Sequence, residues 1–222
     1  MRFDSKIFVI AEAGVNHNGK LAKAKQLVDR AREAGADAVK FQTFRACLLA
    51  TGKAPVAAYQ RRNGTGAAKN QADLLAPLEL SFDDFRLLKA YCDRRKITFL
   101  STPFDEESAD FLDSLGVPLF KISSGDLTNL PFLAHVARKG KPVILSTGMS
   151  ELDEVRRAVD ALHAAGNKQL TLLHCVTEYP APFEEVNLKA MDTLAREFRV
   201  PVGYSDHTLG FEIALAAAAR GA

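Results

Sequence analysis

The sequence predicts an α/β fold in which parallel β-strands alternate with α-helices. Seven apolar runs of strand length occur along the 222 residues, and helical patterns with apolar residues at three- and four-residue spacing follow them. Neighbouring parallel strands need crossover connections of this kind, and continuous apolar runs such as 143–145 suit strands covered on both faces. A repeating unit of roughly 25–30 residues favours a (β/α)8 TIM barrel. A doubly wound open sheet is the alternative, and the absence of a glycine fingerprint after the first strand disfavours it.

Each element follows from its own local pattern. The predicted strands are the apolar runs Ile7–Ala13, Ala38–Phe41, Ile97–Leu100, Leu119–Ile122, Val143–Leu145, Leu170–Leu173 and Pro201–Tyr204. The predicted helices are Leu21–Ala34, Phe82–Arg94, Glu106–Leu115, Leu130–Arg138, Glu151–Ala164, Leu188–Phe198 and Phe211–Arg220. Glycines at positions 35, 116, 140 and 166 stand where helices are expected to end, because glycine readily adopts the left-handed conformation that closes a helix.

The count of strand and helix units stops at seven, one short of a closed barrel. An eight-stranded barrel without its last strand exposes two unpaired edges. We therefore expect residues 1–222 to be one barrel domain truncated after the seventh β/α unit. The alternatives are completion by a partner chain or an additional strand in the connection Arg45–Leu80. That connection is longer than an ordinary loop, which predicts a functional lid or a mobile segment.

Composition excludes several classes of partner. Twenty-nine Lys and Arg residues against 27 Asp and Glu residues give a formal net charge of +2, so no strong field favours nucleic acid or an anionic membrane. The longest apolar stretch, Ile213–Ala219, is too short to span a bilayer, and the first eight residues lack a signal-peptide core. We expect a cytoplasmic protein. Its three cysteines, Cys47, Cys92 and Cys175, are predicted to be reduced, small core residues.

The carboxyl ends of barrel strands form the active site of this fold, and here those positions are unusually polar. They carry Glu12, Lys40, Gln42, Ser101, Thr102, Lys121, Ser123, Ser124, Asp126, Ser146, Thr147, His174, Thr177, Glu178, Tyr179, Ser205, Asp206 and His207. Two lysines at equivalent strand ends, with several hydroxyl groups, predict a site for a small anionic ligand that carries phosphate or carboxylate.

Three side chains have both a structural and a functional interpretation. Glu12 is either an acceptor for neighbouring amides or a catalytic acid, base or water-orienting group. His207 suits a divalent cation, but one histidine does not define a metal site, so a structural role stays open. The segment Asn16–Gly19 is typical of a turn with a helix cap, although His17 can still face the site.

The strings at the strand ends closely resemble the N-acetylneuraminate synthase family, which includes the sialic acid, legionaminate and pseudaminate synthases. They are Ile10–Gly19, Lys40–Thr43, Ser101–Phe104, Lys121–Asp126, Ser146–Met149, His174–Cys175, Glu178–Pro182 and Ser205–Gly210. The resemblance covers essentially the whole chain in order. It implies condensation of phosphoenolpyruvate with N-acetylmannosamine, or a related 2-acetamido sugar, to a nine-carbon 2-keto acid and phosphate. A divalent metal, Mn²⁺ or Mg²⁺, is also implied.

The resemblance further implies roles for matching positions. Glu12 matches the family's catalytic glutamate, expected to act on the attacking water or the sugar hydroxyl and best placed to orient that water. His207 matches one of two metal-binding histidines. Phosphoenolpyruvate would be held by Lys40, Thr102, Lys121, Ser124, Ser146 and Ser205, with Thr177 standing where some members carry a phosphate-contacting asparagine. Gln42, Asp126 and Tyr179 would lie around the acceptor sugar, with Phe104 shaping its pocket. The metal would polarise the sugar aldehyde for attack by C3 of phosphoenolpyruvate.

The chain departs from the family's pattern in few places. Ser123 replaces a common glycine, and Asp126 replaces a glutamate with a shorter carboxylate, a change expected to alter contacts with the acceptor. The string Thr177–Tyr179 occurs in both the sialic and the legionaminic branches, which leaves the acceptor open between them. The eighth strand with the second metal histidine, and the antifreeze-like domain that lends an arginine to a neighbouring subunit, have no counterpart in these 222 residues. We therefore expect the chain alone to be poorly active and the full-length form to be a homodimer. The alternative hypotheses for the function are a legionaminate or other 3-deoxy-2-keto acid synthase, or a non-catalytic anion-binding or assembly module.

Overall fold

The structure, a computed structural model, describes residues 7–56, 61 and 68–222. The described residues divide into two compact units, Phe8–Val117 and Pro118–Ala222, and Ile7 belongs to the second. In each unit the described strands pair in parallel and alternate with helices. The predicted α/β fold with parallel sheets is therefore confirmed.

The unit Phe8–Val117 contains a three-stranded parallel sheet in the order β1-β2-β3. Its strands are β1 Ile10–Gly14, β2 Ala38–Thr43 and β3 Thr98–Pro103. Its described helices are α1 Leu21–Glu33, α2 Ala46–Leu49, α3 Gln71–Leu75, α4 Phe82–Arg95 and α5 Glu106–Ser114, with a 3₁₀ turn at Ala76–Leu78.

Local sequence explains where two of these helices form. Helix α1 buries Ala24, Val28 and Ala31, which recur at intervals of four and three residues and so form one apolar stripe. Helix α4 begins at a capping box in which Ser81 accepts from the amide of Asp84 while the Asp84 carboxylate accepts from the amide of Ser81.

Strand β2 is the central strand of its sheet, and it is buried at five of six positions. Covering on both faces is what a parallel strand between two others requires. The register places Glu12 of β1 opposite Lys40, and Gln42 opposite Thr102 of β3. A shift in register between Glu12 and Gly14 interrupts the β1–β2 pairing at the strand end. Four of the polar side chains predicted for the site therefore come together at this edge: Glu12, Lys40, Gln42 and Thr102.

The unit Pro118–Ala222 contains a four-stranded parallel sheet in the order β4-β5-β6-β7. Its strands are β4 Phe120–Ile122, β5 Val143–Ser146, β6 Leu170–His174 and β7 Val202–Tyr204. Its helices are α6 Leu130–Ala137, α7 Leu152–Ala164, α8 Lys189–Phe198 and α9 Glu212–Ala219, with 3₁₀ turns at Ser124–Asp126 and Phe183–Glu185.

Most element boundaries fall within a few residues of those predicted. The connection Arg45–Leu80 contains α2, α3 and a 3₁₀ turn, and its described part forms no strand, while residues 57–60 and 62–67 of it lie outside the described residues. One prediction is wrong: Cys47 is exposed, because the short helix α2 buries only Ala46, whereas Cys92 and Cys175 are buried free thiols. Within the described ranges, no helix has both the length and the apolar character needed to cross a membrane.

Candidate functional site

A lysine and a glutamate face each other at the carboxyl end of the sheet in Phe8–Val117. Lys40 Nζ contacts the carboxylate of Glu12 across the β1–β2 register and lies 3.4 Å from Thr102 Oγ1. The Lys40 side chain is only 11% exposed, while that of Glu12 is 54% exposed. The ion pair therefore consists of a buried ammonium group and a carboxylate that solvent or a ligand reaches.

Gln42 lies near this ion pair, and Phe104 follows the last residue of β3. A Cβ atom placed on Gly14 would come 3.2 Å from Glu12 Oε1 and 3.8 Å from Gln42 Nε2, so both side chains border the same backbone. Gly14 has a φ of +51°, which disfavours a residue with a side chain at this point. The Phe104 ring packs edge-on against Phe44, with centroids 6.4 Å apart.

His17 is buried, and its two ring nitrogens have different surroundings. Nδ1 accepts a hydrogen bond from the amide of Gly19 at 3.1 Å, so the neutral ring carries its proton on Nε2. Among the described residues Nε2 has no hydrogen-bond partner. Burial lowers the pKa of His17 below its ordinary value, which keeps the ring neutral. The predicted turn at Asn16–Gly19 is confirmed, but the predicted helix cap there is wrong, because α1 begins after Lys20 and no side chain of the described residues caps its first turn. His17 points into the protein rather than to solvent.

Lys121 is the corresponding buried cation in Pro118–Ala222. It lies on β4, is 7% exposed, and its Nζ donates to the carbonyl of Ile122 at 2.9 Å. Ser146 ends β5 and is also buried. Next to it, the amide and hydroxyl of Thr147 both donate to the carbonyl of Leu173, which fastens the end of β5 to β6.

A compact group of small polar side chains lies just after the strand ends of the same unit. We name the group formed by Ser124, Gly148, Cys175 and Thr177 the hydroxyl cluster. Ser124 Oγ accepts from the Gly148 amide at 2.9 Å and lies 3.3 Å from Cys175 Sγ. Thr177 Oγ1 is buried and has no hydrogen-bond partner within the described parts of the chain. A buried hydroxyl in this state is expected to meet water or a ligand.

His207 and Tyr179 form the aromatic part of this unit's polar edge. The rings lie with centroids 4.3 Å apart, and Tyr179 is 42% exposed. His207 Nδ1 lies 2.5 Å from the carbonyl of Val176 and therefore donates to it, which places the remaining lone pair on Nε2. Ser205 Oγ lies 3.4 Å from that Nε2. Asp126 closes the 3₁₀ turn that Ser124 begins, and it is half-buried.

His207 meets one of the requirements of a ligand to a divalent metal. A metal-binding histidine usually donates its other ring N–H to a backbone carbonyl or carboxylate, and the contact with Val176 meets that requirement. The part of the chain that the structure describes contains no group of three or more His, Cys, Asp or Glu residues able to hold an ion. His207 therefore fits one ligand position, and these residues do not complete a metal site.

The structure brings the predicted site residues together in two sets. Glu12, Lys40, Gln42, Thr102 and Phe104 lie at the end of the β1-β2-β3 sheet, and Lys121, Ser124, Asp126, Ser146, Thr177, Tyr179, Ser205 and His207 lie at the end of the β4-β5-β6-β7 sheet. Sequence reasoning assigned Cys175 to the core and gave Gly148 no role. Cys175 and Gly148 are identified as parts of the site by their contacts with Ser124 Oγ, and no sequence pattern predicts those contacts.

Parallel sheets whose carboxyl ends carry buried lysines and hydroxyl groups are typical of α/β proteins that bind small anions. The NeuB family model matches residues 27–222, so the chain belongs to the NeuB family. The predicted resemblance to the sialic acid, legionaminate and pseudaminate synthases is thereby confirmed.

Individual relatives agree with this assignment. The chain is 52% identical to N,N'-diacetyllegionaminic acid synthase of Legionella pneumophila over 97% of its own length and 61% of that protein. It is 36% identical to human N-acetylneuraminate-9-phosphate synthase over 97% of its length and 59% of that protein. The crystal structure of a Leptospira borgpetersenii N-acetylneuraminic acid synthetase matches with a TM-score of 0.85 and 37% identity, covering 97% of this chain and 70% of that one. The chain thus spans about three fifths of the length of these two curated relatives.

Proposed function

We propose that the protein condenses phosphoenolpyruvate with an N-acetylated amino sugar to give a nine-carbon 2-keto acid and phosphate. Membership of the NeuB family over residues 27–222 is the observation that carries this proposal. The two buried lysines and the hydroxyl cluster support it chemically, because phosphoenolpyruvate is a small ligand with both a phosphate and a carboxylate. The homodimer, the cytoplasmic location, the closed barrel and its truncation, and the low activity of the chain alone stay predictions.

Two acceptors are candidates, and the relatives favour one of them. The sequence predicts N-acetylmannosamine first and the legionaminate precursor as the alternative. Identity is 52% to the diacetyllegionaminic acid synthase and 36% to the N-acetylneuraminate-9-phosphate synthase. Phosphoenolpyruvate contributes three carbons and no nitrogen, so an acceptor that yields a diacetylated product must already carry two acetamido groups. We therefore propose a diacetamido sugar as the preferred acceptor.

The proposed chemistry forms one carbon–carbon bond and releases one phosphate. C3 of phosphoenolpyruvate attacks the aldehyde carbon of the sugar, and the aldehyde oxygen takes up a proton and becomes a hydroxyl group. Water adds at C2, where it captures the developing positive charge and loses a proton. The resulting tetrahedral centre expels phosphate and leaves the 2-keto group. In this scheme Glu12 orients the water and accepts its proton, since its carboxylate is half-exposed and held by Lys40.

Charge stabilisation is the role proposed for the lysines. Lys40 and Lys121 are buried, so their ammonium groups act on the anionic groups of the substrate with less screening by water than surface lysines. Ser124 and Thr177 contribute hydroxyl donors to the same kind of ligand, and Thr102, Ser146 and Ser205 are proposed to assist. Gln42, Asp126, Tyr179 and Phe104 are proposed to border the sugar.

A divalent cation, Mn²⁺ or Mg²⁺, is proposed as the cofactor, with His207 as one of its ligands. When bound, such an ion supplies Lewis-acid polarisation of a carbonyl oxygen. The contribution of the chain itself is to fix the His207 ring through the carbonyl of Val176. Paramagnetic resonance titration of Mn²⁺ tests this directly: His207→Ala should weaken Mn²⁺ binding, and unchanged binding would remove His207 as a ligand.

The function is tested by measuring phosphate release and the 2-keto acid product from phosphoenolpyruvate with Mn²⁺. N-acetylmannosamine and a 2,4-diacetamido sugar serve as parallel acceptors. Acceptor-dependent release, faster with the diacetamido sugar, supports the legionaminate branch, and faster release with N-acetylmannosamine supports the sialic acid branch. Because the chain alone is expected to be poorly active, the decisive assay uses the full-length form. In that form, binding of phosphoenolpyruvate without product from either sugar would favour the non-catalytic binding module. No binding at all would contradict the proposed function.

A further inference from the structure

The hydroxyl group of Ser124 has two partners, and one of them is a thiol. The amide of Gly148 donates to Ser124 Oγ at 2.9 Å, and Cys175 Sγ lies 3.3 Å from the same oxygen. A serine hydroxyl has two lone pairs and a single proton. The Gly148 amide can only donate, so it occupies one lone pair. The direction of the hydrogen bond between Ser124 and the thiol then decides whether the serine offers a ligand its proton or its second lone pair.

The two directions leave Ser124 with opposite properties. If Cys175 donates its S–H, both lone pairs of Ser124 Oγ are occupied and its own proton is available. If Ser124 donates to sulfur instead, the oxygen presents a lone pair. An anionic oxygen of phosphate or carboxylate only accepts hydrogen bonds, so the second arrangement repels it. Only the first arrangement allows Ser124 to bind an anion.

We propose that Cys175 is a positioning residue: its thiol donates to Ser124 Oγ and thereby directs the serine proton to an anionic oxygen of the substrate. This inference rests on the proposed function, in which that oxygen belongs to phosphoenolpyruvate. Cys175 touches no substrate in this scheme and acts through Ser124. Its burial, at 5% exposure, keeps the thiol away from competing water.

Packing around Gly148 shows how closely the cluster is built. A Cβ atom on Gly148 would lie 2.9 Å from Cys175 Sγ and 3.0 Å from Ser124 Oγ, and it would overlap Thr177 Oγ1. Only glycine therefore lets the backbone amide reach Ser124 while the thiol and the Thr177 hydroxyl stay in place. Thr177 Oγ1, buried and without a hydrogen-bond partner among the described residues, adds a second hydroxyl beside the first. Two such hydroxyls suit two oxygens of one oxyanion group.

Affinity for phosphoenolpyruvate, measured by calorimetry on the full chain, gives the first test. Cys175→Ala should weaken binding by roughly 2- to 10-fold, the range expected for one modest hydrogen bond. Cys175→Ser restores a donor and should stay within about twofold of the wild type. In a Ser124→Ala background, Cys175→Ala should cause no further loss, because its effect passes through Ser124. An equal loss in both backgrounds would show a merely structural role and overturn the proposal.

The S–H stretching band in the infrared spectrum gives a second test that needs no substrate. The Cys175 band is assigned by its disappearance in Cys175→Ser. A thiol that donates a hydrogen bond absorbs at lower frequency, so Ser124→Ala should move the band to higher frequency. A band that does not move would overturn the donor role even if phosphoenolpyruvate binds normally. A different outcome is a band that moves in Ser124→Ala together with a wild type that binds no phosphoenolpyruvate. That result would establish the hydrogen bond from Cys175 but overturn the proposed function and the positioning role within it.

Discussion

Lys40 Nζ contacts the Glu12 carboxylate, and the two partners of this pair differ sharply in their exposure to solvent. The lysine side chain is 11% exposed and the glutamate side chain 54%. A buried charge that loses its partner is costly, whereas an exposed charge is solvated by water. The two ends of the same ion pair should therefore respond differently to mutation.

Stability should fall more when the glutamate is removed than when the lysine is removed. Glu12→Gln keeps an amide oxygen that can accept from Lys40 Nζ but removes the opposite charge that compensates the buried ammonium. We expect a loss of about 1–3 kcal/mol, below the cost for a fully buried pair because Glu12 is half-exposed. Lys40→Met keeps the buried aliphatic stem and leaves a carboxylate that water solvates, so the loss should be smaller. Urea unfolding at pH 7 measures both variants. A larger loss for Lys40→Met would contradict this account.

Binding of phosphoenolpyruvate should depend strongly on Lys121. Replacing it by methionine removes a buried ammonium donor, and a charged hydrogen bond corresponds to a loss of roughly 10- to 150-fold in affinity. Lys121→Arg keeps the charge and should lose less. Lys189→Met, at an exposed position on helix α8 of the same unit, makes the same change in net charge and serves as the control. Calorimetric titration gives the affinities, and equal effects of Lys121→Met and Lys189→Met would remove Lys121 from the anion site.

The same measurement applies to Lys40. Lys40→Ala should also weaken binding of phosphoenolpyruvate, and unchanged affinity in both Lys40→Ala and Lys121→Met would remove the anion-site argument.

Gly148→Ala should disrupt the hydroxyl cluster. The added methyl group lies 2.9 Å from Cys175 Sγ and would overlap Thr177 Oγ1, so these side chains must move, at a cost of about 1–3 kcal/mol typical of overpacking. Gly125→Ala is the matched control, because its Cβ would meet only Ser123 Oγ at an ordinary 3.8 Å. In thermal unfolding Gly148→Ala should be less stable than Gly125→Ala, and in titration it should bind phosphoenolpyruvate more weakly. Similar behaviour of both would mean that the cluster tolerates a side chain at position 148.

The elements of the fold could be predicted from the sequence because periodicity is a local property. The register between β1 and β2 could not be predicted, since it joins residues about 28 positions apart in the chain and is interrupted between Glu12 and Gly14. The ion pair of Glu12 with Lys40 is a consequence of that register. The sequence therefore identified both residues as site candidates without indicating that they touch.

Cys175 illustrates a second limit. A cysteine beside an apolar strand is most often a small core residue, and burial confirms that part of the prediction. Its contact with Ser124 arises because β4 and β6 both flank β5, an arrangement of the sheet that no short segment encodes. His17 is similar: its turn was predictable from Asn16–Gly19, whereas the burial that changes its titration depends on the packed structure.

His17 should make stability depend on pH. Burial lowers the pKa of the folded histidine below the ordinary value of 6.5, so below about pH 6.5 the unfolded state binds more protons than the folded state. Stability should consequently be complete above pH 6.5 and fall as the pH decreases, with a slope of up to about 1.4 kcal/mol per pH unit from this group. His17→Asn keeps an acceptor for the Gly19 amide but does not titrate in this range, so it should lack this part of the slope.

His163→Asn, on helix α7, is the matched histidine control and should retain the slope that His17 contributes. Urea unfolding between pH 5 and 8 measures the difference, and parallel curves for the wild type and His17→Asn would show that His17 does not contribute.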